Sequence, residues 1–352
     1  MRPLTFQILR ELSDAHFTSG VALAKKLGVS RSAISDALME ASENNVEIFK
    51  LTKRGYRLAV PLDFLDIEKI RKHLAKNAGR VDIDIVDTIE STNTELSRRS
   101  ALANLPSGTC LVTELQTAGR GRRGRQWQSG LATSLTFSLL WRFEKGAAQL
   151  GGLSLVVGLA LVRALRTIGI TQAAVKWPND ILIDHKKLGG ILIETQGDML
   201  GPTAAVIGIG VNVALPDAMK QSIDQPATDF SEHTNQVIGR NQLLAQLLGE
   251  LVPALGKFNT LGFAVYRDEW LACHAYQNCP VHVIQGGGDS FDAIVTGVAM
   301  DGSLIVKKTV KKMADKPGQS GLDDAEIALA SAEISVRPAS VKPAGYKQLA
   351  RV

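Results

Sequence analysis

The stretch GVALAKKLGVSRSAISDAL, from Gly20 to Leu38, decides the fold of the first part of the chain. Its first half places Leu23 and Leu27 on one face of a helix. Gly28 then permits a tight turn, and Ser30 is a good N-cap for a second helix. Two helices joined by such a turn predict a helix-turn-helix.

The flanking residues extend this motif to a winged helix. Two short strands are predicted over residues 46–49 and 55–58, with Lys53 and Arg54 between them as a wing. A generic small helical bundle is the alternative. Ala37 is smaller than expected at a core position of the winged helix. The residues that would face a DNA groove are Ser30, Arg31, Ser32 and Ser35, with Lys53 and Arg54 near phosphates.

The composition is that of an ordinary soluble globular protein, and 352 residues suffice for two or three domains. A net charge of +5 permits contact with nucleic acid without requiring it. Neither a membrane-spanning run nor a signal peptide is recognisable, so a cytoplasmic location and no membrane partner are expected. Cys110, Cys273 and Cys279, with His274 and His282 nearby, fit neither a disulfide framework nor a zinc signature, and no fixed metal site is expected.

The predicted elements divide the chain into residues 1–62, 63–272 and 273–352. In the middle segment we predict strands over 81–86, 109–113, 133–141, 181–183, 190–194 and 204–213, and helices over 153–168 and 241–258. Several strands follow one another without room for a crossover helix, which indicates a mixed or largely antiparallel sheet flanked by helices. The fold class is therefore α+β.

The last segment is rich in predicted strands. They cover residues 281–284, 291–298, 303–308 and 333–337, with glycine turns between them, and a small β-barrel fits this pattern. Residues 311–330 are polar and then alanine-rich, which predicts an inserted loop with a short helix. Residues 340–352 are predicted to be a frayed tail.

A run of arginines and glycines, GRGRRGR, spans Gly119 to Arg125 and is followed by Trp127. Guanidinium groups cannot be desolvated without anionic partners, and glycines weaken regular structure, so we predict a mobile cationic loop. Arginines that gather around an anion suit carboxylate and phosphate chemistry. An exposed surface loop or a nucleic-acid arm is the alternative when the run is considered alone.

Polar residues follow two predicted strands. Ser91, Thr92 and Asn93 could bind a small polar ligand, although capping of the next helix by Ser91 or Thr92 is the simpler explanation. Gln116, in the segment that begins at Glu114, offers both a donor and an acceptor. An exposed strand end is the alternative for that segment.

A predicted hairpin brings charged residues together. KWPND (Lys176–Asp180) leads into KLGG (Lys187–Gly190), so Asp180 and Lys187 could approach one another or a shared ligand. A lysine that enters an apolar strand is costly unless it meets an anion. The alternative, of equal weight from this segment alone, is a lysine at the hairpin mouth that extends to water.

Alternating glycines, Gly208 and Gly210, leave one face of a strand bare just before Asn212. A bare backbone face permits a planar ring to lie close, and a bulge is the alternative. Together the motifs describe a pocket with cations, a polar rim and a flat floor. Such a pocket suits a carboxylate, a phosphate and a flat base, as in an acyl-adenylate, with catalysis by charge neutralisation and positioning.

The chain resembles the bacterial family of bifunctional biotin–protein ligases and biotin-operon repressors, the BirA family. The resemblance is carried by GRGRRGR with KWPND and KLGG, and extends from the helix-turn-helix to EISVR (Glu333–Arg337). It implies a central domain like class II synthetases and an SH3-like C-terminal barrel. It also implies synthesis of biotinyl-5′-adenylate from biotin and ATP with Mg²⁺, and transfer of biotin to the biotin carboxyl carrier protein of acetyl-CoA carboxylase. The adenylate-bound protein would form a homodimer on operator DNA.

The resemblance also implies roles for single residues. The biotin site would contain Ser91, Thr92, Asn93, Gln116, Arg120, Gly121, Arg122, Lys187 and Gly190. The ATP and adenylate site would contain Arg120, Arg122, Arg125, Trp127, Lys176, Asn179 and Asn212. Lys187, Arg122 and Asp180 would be catalytic. The chain departs from the family at Thr94, where glutamine is expected, and in the 311–330 insertion.

Three other functions are considered. A ligase with a non-regulatory N-terminal domain is disfavoured by the intact turn, cap and basic wing. A transcription regulator that only senses a small molecule would not need the cations Arg122 and Lys187. A lipoate ligase is disfavoured by the arginine-rich run and the fused winged helix.

Overall fold

The computed structural model describes residues 1–74, 79–197, 199–285, 289–309, 325–330 and 335–338. The chain begins with helices α1 (Pro3–Arg10), α2 (Gly20–Leu27) and α3 (Arg31–Glu43), followed by the hairpin of β1 (Ile48–Leu51) and β2 (Gly55–Leu58). Gly28 adopts the left-handed conformation with φ 66°, and the Ser30 hydroxyl accepts a hydrogen bond from the Ala33 amide at 3.1 Å. The predicted helix-turn-helix is therefore confirmed.

The core of this N-terminal unit lies between the helices and the wing. Ile34, Ala37 and Leu38 are all buried, so the small Ala37 is a genuine core residue. The first wing strand begins two residues later than predicted, at Ile48, because Val46 turns into the same core. Lys53 lies in the turn of the wing, with φ 65°.

The central sheet has seven strands. They are β3 (Asp82–Ile89), β4 (Thr109–Gln116), β7 (Ser134–Phe143), β8 (Ala174–Lys176), β9 (Asp180–Ile183), β10 (Lys186–Gly197) and β11 (Thr203–Asn212); β5 (Gly119–Arg120) and β6 (Gln126–Trp127) form a separate small hairpin. The order is β3-β4-β7-β11-β10-β9-β8. Only the β3–β4 pair within this described sheet is parallel, which confirms the predicted mixed sheet.

Helices α5, α6, α8 and α9 pack against this sheet. The helices of this part of the chain are α4 (Ile67–Leu74), α5 (Thr92–Leu102), α6 (Leu153–Thr167), α7 (Asp217–Ser222), α8 (Arg240–Leu261) and α9 (Arg267–Cys273). Helix α6 is apolar on nearly every side because it is enclosed by α8, α9 and the strands β8, β9 and β10. Helix α5 packs against β4, β7, β10 and β11. Among the described helices, none combines the length and apolar character needed to cross a bilayer.

The C-terminal strands form one antiparallel sheet, in the order β15-β14-β13-β12-β16. They are β12 (Pro280–Ile284), β13 (Ser290–Val298), β14 (Leu304–Lys308), β15 (Glu326–Leu329) and β16 (Ser335–Pro338). The prediction of a loop and short helix up to residue 330 is wrong at its end, because Glu326–Leu329 pairs with β14 as a strand. Residues 311–324 of that insertion and the predicted tail, residues 340–352, lie outside the described residues.

The N-terminal helices pack directly on the central sheet. Leu115 of β4 and Leu131 belong to the same hydrophobic cluster as the helix-turn-helix core. Arg10 of α1 forms an ion pair with Asp87 of β3, and its guanidinium lies 4.8 Å from the centre of the Phe64 ring. Leu115 and Leu131 bracket the small hairpin of β5 and β6 in sequence, so the segments that lead into and out of that hairpin pack against the N-terminal unit.

Candidate functional site

Two lysines and one carboxylate meet where β8, β9 and β10 begin or end. Asp180 Oδ1 lies 2.7 Å from Lys187 Nζ, and Asp180 Oδ2 lies 3.7 Å from Lys176 Nζ. Asp180 stands opposite Gly190 in the β9–β10 register, with a bulge between Lys187 and Gly189. The glycines leave room above the strand, so the lysine side chain can fold across it toward the carboxylate. Lys187 pairs with the Asp180 carboxylate. This confirms the interpretation that the lysine meets an anion, over the alternative that it extends to water.

Burial and charge set the protonation of this cluster. Burial alone would raise the pKa of Asp180, but the ammonium groups of Lys187 and Lys176 hold it below its ordinary value. Burial lowers the pKa of Lys176, against the attraction of Asp180. The charges of the Arg337 and Arg125 guanidiniums also lower the pKa of Lys176. The cations exceed the carboxylate in number, so the cluster is suited to a further anion.

The arginine-rich run forms a short hairpin, which corrects the prediction of a loop without regular structure. Gly119 pairs with Trp127 and Arg120 with Gln126, and the Gly121 amide donates to the Arg125 carbonyl at 2.7 Å. A hairpin this short leaves Arg120, Arg123 and Arg125 exposed and buries only part of Arg122, so the expected cost of burying the guanidiniums is largely avoided.

One guanidinium of this hairpin turns toward the lysine cluster. Arg122 Nη1 donates to Asn179 Oδ1 at 3.2 Å. Burial lowers the pKa of Arg122, while nearby Asp180 opposes that shift. Arg123 and Arg125 are exposed. Of the predicted cationic residues, the structure therefore brings Arg122, Lys176 and Lys187 around Asp180.

A planar ring lies on the bare glycine face, and it is the protein's own Trp127. A Cβ atom added to Gly210 would lie 2.3 Å from Trp127 Cε2, and one added to Gly190 would lie 3.4 Å from Cζ3. Lys187 Nζ lies 5.7 Å from the centre of this ring. The indole Nε1 is buried and has no hydrogen-bond partner among the described residues. The glycines thus allow an aromatic ring to lie directly on the strand.

The residues after β3 form a hydrogen-bonded group. Ser91 is the N-cap of α5 and accepts from the Thr94 amide at 3.4 Å, so capping, the simpler explanation for this motif, is observed. The Thr92 amide donates to Gln116 Oε1 at 2.8 Å. Asn93 fills the space above Gly208, where an added Cβ would lie 2.3 Å from Asn93 Oδ1. The lack of a side chain at Gly208 therefore makes room for the buried amide of Asn93.

Two members of this group were missed from the sequence. Ser138 of β7 lies 2.8 Å from both Thr92 Oγ1 and Asn93 Oδ1. Glu194 of β10 accepts from Asn93 Nδ2 at 2.8 Å and from Arg120. Ser138 interrupts an apolar run between Phe137 and Leu139, and Glu194 ends the apolar run Ile191–Ile193. Those polar positions were the available signal. The residues that Ser138 and Glu194 contact depend on the order of the strands in the sheet.

Asn212 supports the backbone beside Lys187. Its Nδ2 donates to the Lys187 carbonyl at 3.3 Å and to the Thr228 carbonyl at 3.0 Å. The Lys187 amide in turn donates to the Pro226 carbonyl at 2.8 Å. The segment after β11 is thereby held across the start of β10. The adenylate contact predicted for Asn212 remains a prediction.

The residues predicted to contact DNA lie apart from this site. Arg31, Ser32 and Ser35 are exposed on α3, and Lys53 and Arg54 are exposed on the wing. Ser30 caps α3, and its hydroxyl lies 2.8 Å from the Ser32 hydroxyl, so it already has hydrogen-bond partners at the start of the helix. The helix also exposes two carboxylates, Asp36 and Glu43, which the DNA interpretation did not consider.

Comparison with known proteins identifies both parts of the chain. Residues 85–212 match the biotin/lipoate A/B protein ligase family, and residues 5–57 match a helix-turn-helix (HTH) domain family. The chain is 35% identical to the bifunctional ligase/repressor BirA of Salmonella typhimurium, over 94% of this chain and 98% of that protein. It belongs to the BirA family. The BirA of Escherichia coli K12 is also 35% identical, over 93% of this chain and 97% of that one.

The fold agrees with that of solved ligases. The biotin protein ligase of Aquifex aeolicus, in complex with biotin and ATP, is 26% identical with a TM-score of 0.58. The match covers 73% of this BirA-family chain and 99% of the Aquifex chain. The predicted α+β fold, the ligase class and the helix-turn-helix are thus confirmed, and biotin and ATP are the small molecules of the family's ligase reaction.

Proposed function

We propose that this protein joins biotin to ATP as biotinyl-5′-adenylate and then transfers biotin to a lysine of the biotin carboxyl carrier protein of acetyl-CoA carboxylase. The observation that carries this proposal is the Lys187–Asp180–Lys176 cluster beside the glycine face occupied by Trp127. Within this region the lysines would bind a carboxylate and a phosphate, and Trp127 would contact a purine. The family membership then selects biotin as the acid.

The first half of the reaction needs two anions to approach. A biotin carboxylate oxygen attacks the α-phosphorus, forming a C–O–P bond, and pyrophosphate leaves. Lys187 and Arg122 would reduce the repulsion between the reactants and stabilise the charge that develops. Asp180 would hold the Lys187 ammonium in position through their 2.7 Å ion pair. In the second half the carrier lysine attacks the acyl carbon and AMP leaves.

The polar group around Gln116 would recognise the ureido ring of biotin. Gln116 Oε1 accepts a hydrogen bond from the Thr92 amide. Gln116 Nε2, which lies next to Gly119, is therefore the group available to a ligand. An amide donor suits a ureido carbonyl oxygen. Trp127 would meet the adenine, and its unpartnered Nε1 supports a ligand acceptor at that place.

Magnesium would enter with ATP. The Asp180 carboxylate is already held by two ammonium groups, and Glu194 is held by Arg120. Mg²⁺ commonly keeps waters and binds mainly through substrate phosphates, so the residues fit an ion that the triphosphate carries. That ion would neutralise phosphate charge, with no cage of protein ligands.

The N-terminal unit would make the protein a biotin-dependent repressor of the biotin operon. We assign residues 1–62 to DNA binding, 63–272 to catalysis and 273–352 to a small β unit with the insertion and tail. One winged helix offers few phosphate contacts, so selective binding would need a homodimer that reads two half-sites. Biotinyl-adenylate would favour that dimer, and the protein would act in the cytoplasm.

The ligase proposal is tested by transfer of a label. Purified protein is incubated with ATP, Mg²⁺, a carrier domain and either radiolabelled biotin or radiolabelled lipoate. Biotin should appear on the carrier and lipoate should not. A carrier variant that lacks the acceptor lysine is the control. Lipoate transfer, or no transfer of either acid, would overturn the proposal.

The repressor proposal needs a separate measurement. Sedimentation with and without biotin plus ATP should show a larger dimer fraction with both ligands, and footprints on the chain's own biotin-operon promoter should strengthen in parallel. An unchanged monomer fraction, or footprints that ignore the ligands, would leave the ligase proposal standing and remove the repressor one.

A further inference from the structure

Glu194 joins two parts of the site that lie far apart in sequence. Its side chain is 29% exposed. Oε2 accepts from Asn93 Nδ2 at 2.8 Å, and Oε1 lies 2.9 Å from Arg120 Nη2. Arg120 Nη1 also donates to Oε2 at 3.2 Å and to Thr94 Oγ1 at 3.3 Å. The carboxylate is therefore bidentate toward the first arginine of the hairpin, and it reaches the buried amide of Asn93 as well.

The carboxylate fixes the orientation of Asn93. An ionised carboxylate only accepts hydrogen bonds, so the group that faces it must be the amide nitrogen. The same Nδ2 also faces the Leu192 carbonyl at 3.3 Å. With both acceptors on one side, Asn93 Oδ1 must face Ser138. The orientation of the amide thus follows from the charge of Glu194.

Asn93 joins Glu194 to the rest of the polar group. Ser138 has one hydroxyl hydrogen, and two acceptors, Asn93 Oδ1 and Thr92 Oγ1, each lie 2.8 Å from its Oγ. The Thr92 hydroxyl donates to Gln116 Oε1 at 3.1 Å, and the Thr92 amide donates to the same oxygen at 2.8 Å. Asn93, Ser138 and Thr92 therefore connect the Glu194 carboxylate to Gln116 in one continuous hydrogen-bond chain.

We propose that Glu194 is a positioning residue with two effects: it orders this hydrogen-bond chain, and it holds the arginine-rich hairpin against the sheet through Arg120. The first effect would hold Asn93, and through Ser138 also Thr92, in the positions that the proposed biotin site needs, so the affinity for biotin, which rests on the proposed function, would depend on Glu194. The second effect concerns the hairpin alone and holds without any ligand. Bidentate bonds to an ionised carboxylate are among the stronger hydrogen bonds, so both effects are measurable.

Two substitutions separate the effects. Glu194→Gln keeps a carbonyl oxygen that can accept from Asn93, but it removes the charge and one of the acceptors that hold Arg120. Glu194→Ala removes both. Arg120→Gln releases the hairpin and leaves the carboxylate on Asn93. Thr195→Ala, at an exposed position of the same strand, is the matched control.

Biotin affinity by calorimetry tests the first effect. Loss of a hydrogen bond to a charged group costs a factor of about ten or more, so Glu194→Ala should weaken biotin binding by at least about that factor. Glu194→Gln should keep affinity within about threefold, since the accepting oxygen remains. An affinity of Glu194→Ala within twofold of wild type would overturn this effect.

Limited trypsin cleavage after Arg122 or Arg123, without ligand, tests the second effect. Glu194→Gln, Glu194→Ala and Arg120→Gln should all be cut several-fold faster than wild type, while Thr195→Ala should match it. Equal rates in all proteins would overturn the hairpin effect. If wild type binds no biotin, the proposed function fails, and the cleavage rates still decide whether Glu194 holds the hairpin. Equal thermal midpoints for Glu194→Gln and wild type confirm that the variant is folded.

Discussion

Arg240 Nη2 lies 2.5 Å from Glu114 Oε2, and both side chains are almost completely buried. Glu114 also accepts from the Leu65 amide at 2.7 Å through its other oxygen. Arg240 Nε donates to the Asp63 carbonyl at 2.9 Å. This ion pair therefore ties helix α8 and strand β4 to the segment that connects the winged helix with the central sheet. Of the segment for which an exposed strand end was the alternative, Glu114 is buried, whereas Thr117 and Ala118 are exposed.

Glu114→Gln should destabilise the protein strongly. Removal of one partner leaves the Arg240 charge buried without compensation, at a cost of about 3–5 kcal/mol in the free energy of unfolding. Urea denaturation, monitored by far-UV circular dichroism, measures this loss. Glu90→Gln is the control, since Glu90 is exposed. A loss below about 1 kcal/mol, the range of exposed pairs, would contradict the buried pair.

Lys187→Ala should nearly abolish formation of the adenylate. The loss of a preorganised charge at a reacting centre costs about 3 kcal/mol or more, which is a rate reduction of roughly a hundredfold. Pyrophosphate release measures this step. Lys186→Ala, the exposed neighbour on the same strand, should retain wild-type rates. A rate for Lys187→Ala within a few-fold of wild type would remove Lys187 from the proposed mechanism.

Biotin with ATP should protect the hairpin from trypsin. Arg123 and Gly124 both have positive φ, at 59° and 71°, and Arg123 and Arg125 are exposed. An anionic ligand that engages these arginines should order the turn. We expect cleavage after Arg122 or Arg123 to slow in the presence of both ligands. Equal rates with and without them would show that the hairpin does not close over the adenylate.

His274 should make stability depend on pH. Burial lowers its pKa to about 3 from 6.5. Between these values the unfolded chain binds the proton more readily, so the neutral imidazole stabilises the fold above pH 6.5 and this contribution is lost as the pH falls. The slope approaches about 1.4 kcal/mol per pH unit. Between pH 7 and 5, His274→Gln should lose less stability than wild type; parallel curves would contradict the assignment.

Deletion of residues 1–60 should abolish operator binding and retain the ligase reaction with a less stable protein. The structure supplies the reason for the lower stability, since Leu115 and Leu131 lose their cover when the winged helix is removed. Gel shifts and carrier biotinylation measure the two activities. A folded truncation that still selects the operator would contradict the assignment of DNA binding.

The sequence predicted those parts of the site that depend on local pattern. Gly28 and Ser30 specify the helix-turn-helix because a left-handed turn and an N-cap are local requirements. Asp180 and Lys187 could be paired because a hairpin brings its two ends together. The partners of Glu194 could not be found in this way, since they depend on the packing of α5 beside β10.

Other misses have the same origin. Glu114 looked like a strand end because its partner, Arg240, begins a helix far along the chain. The bare face at Gly210 was predicted, but the ring that lies on it comes from another hairpin. The strand Glu326–Leu329 follows a polar insertion, and its pairing with β14 is set by the C-terminal sheet.

Leu115 and Leu131, which lie shortly before and after the arginine-rich hairpin in sequence, belong to the core of the winged helix. A ligand that draws the hairpin inward must therefore act against a contact that the DNA-binding unit shares. Linkage between binding sites is reciprocal. If biotin and ATP raise the affinity of the protein for operator DNA by some factor, operator DNA must raise the affinity for those ligands by the same factor. The promoter itself would then be an effector of the ligase site.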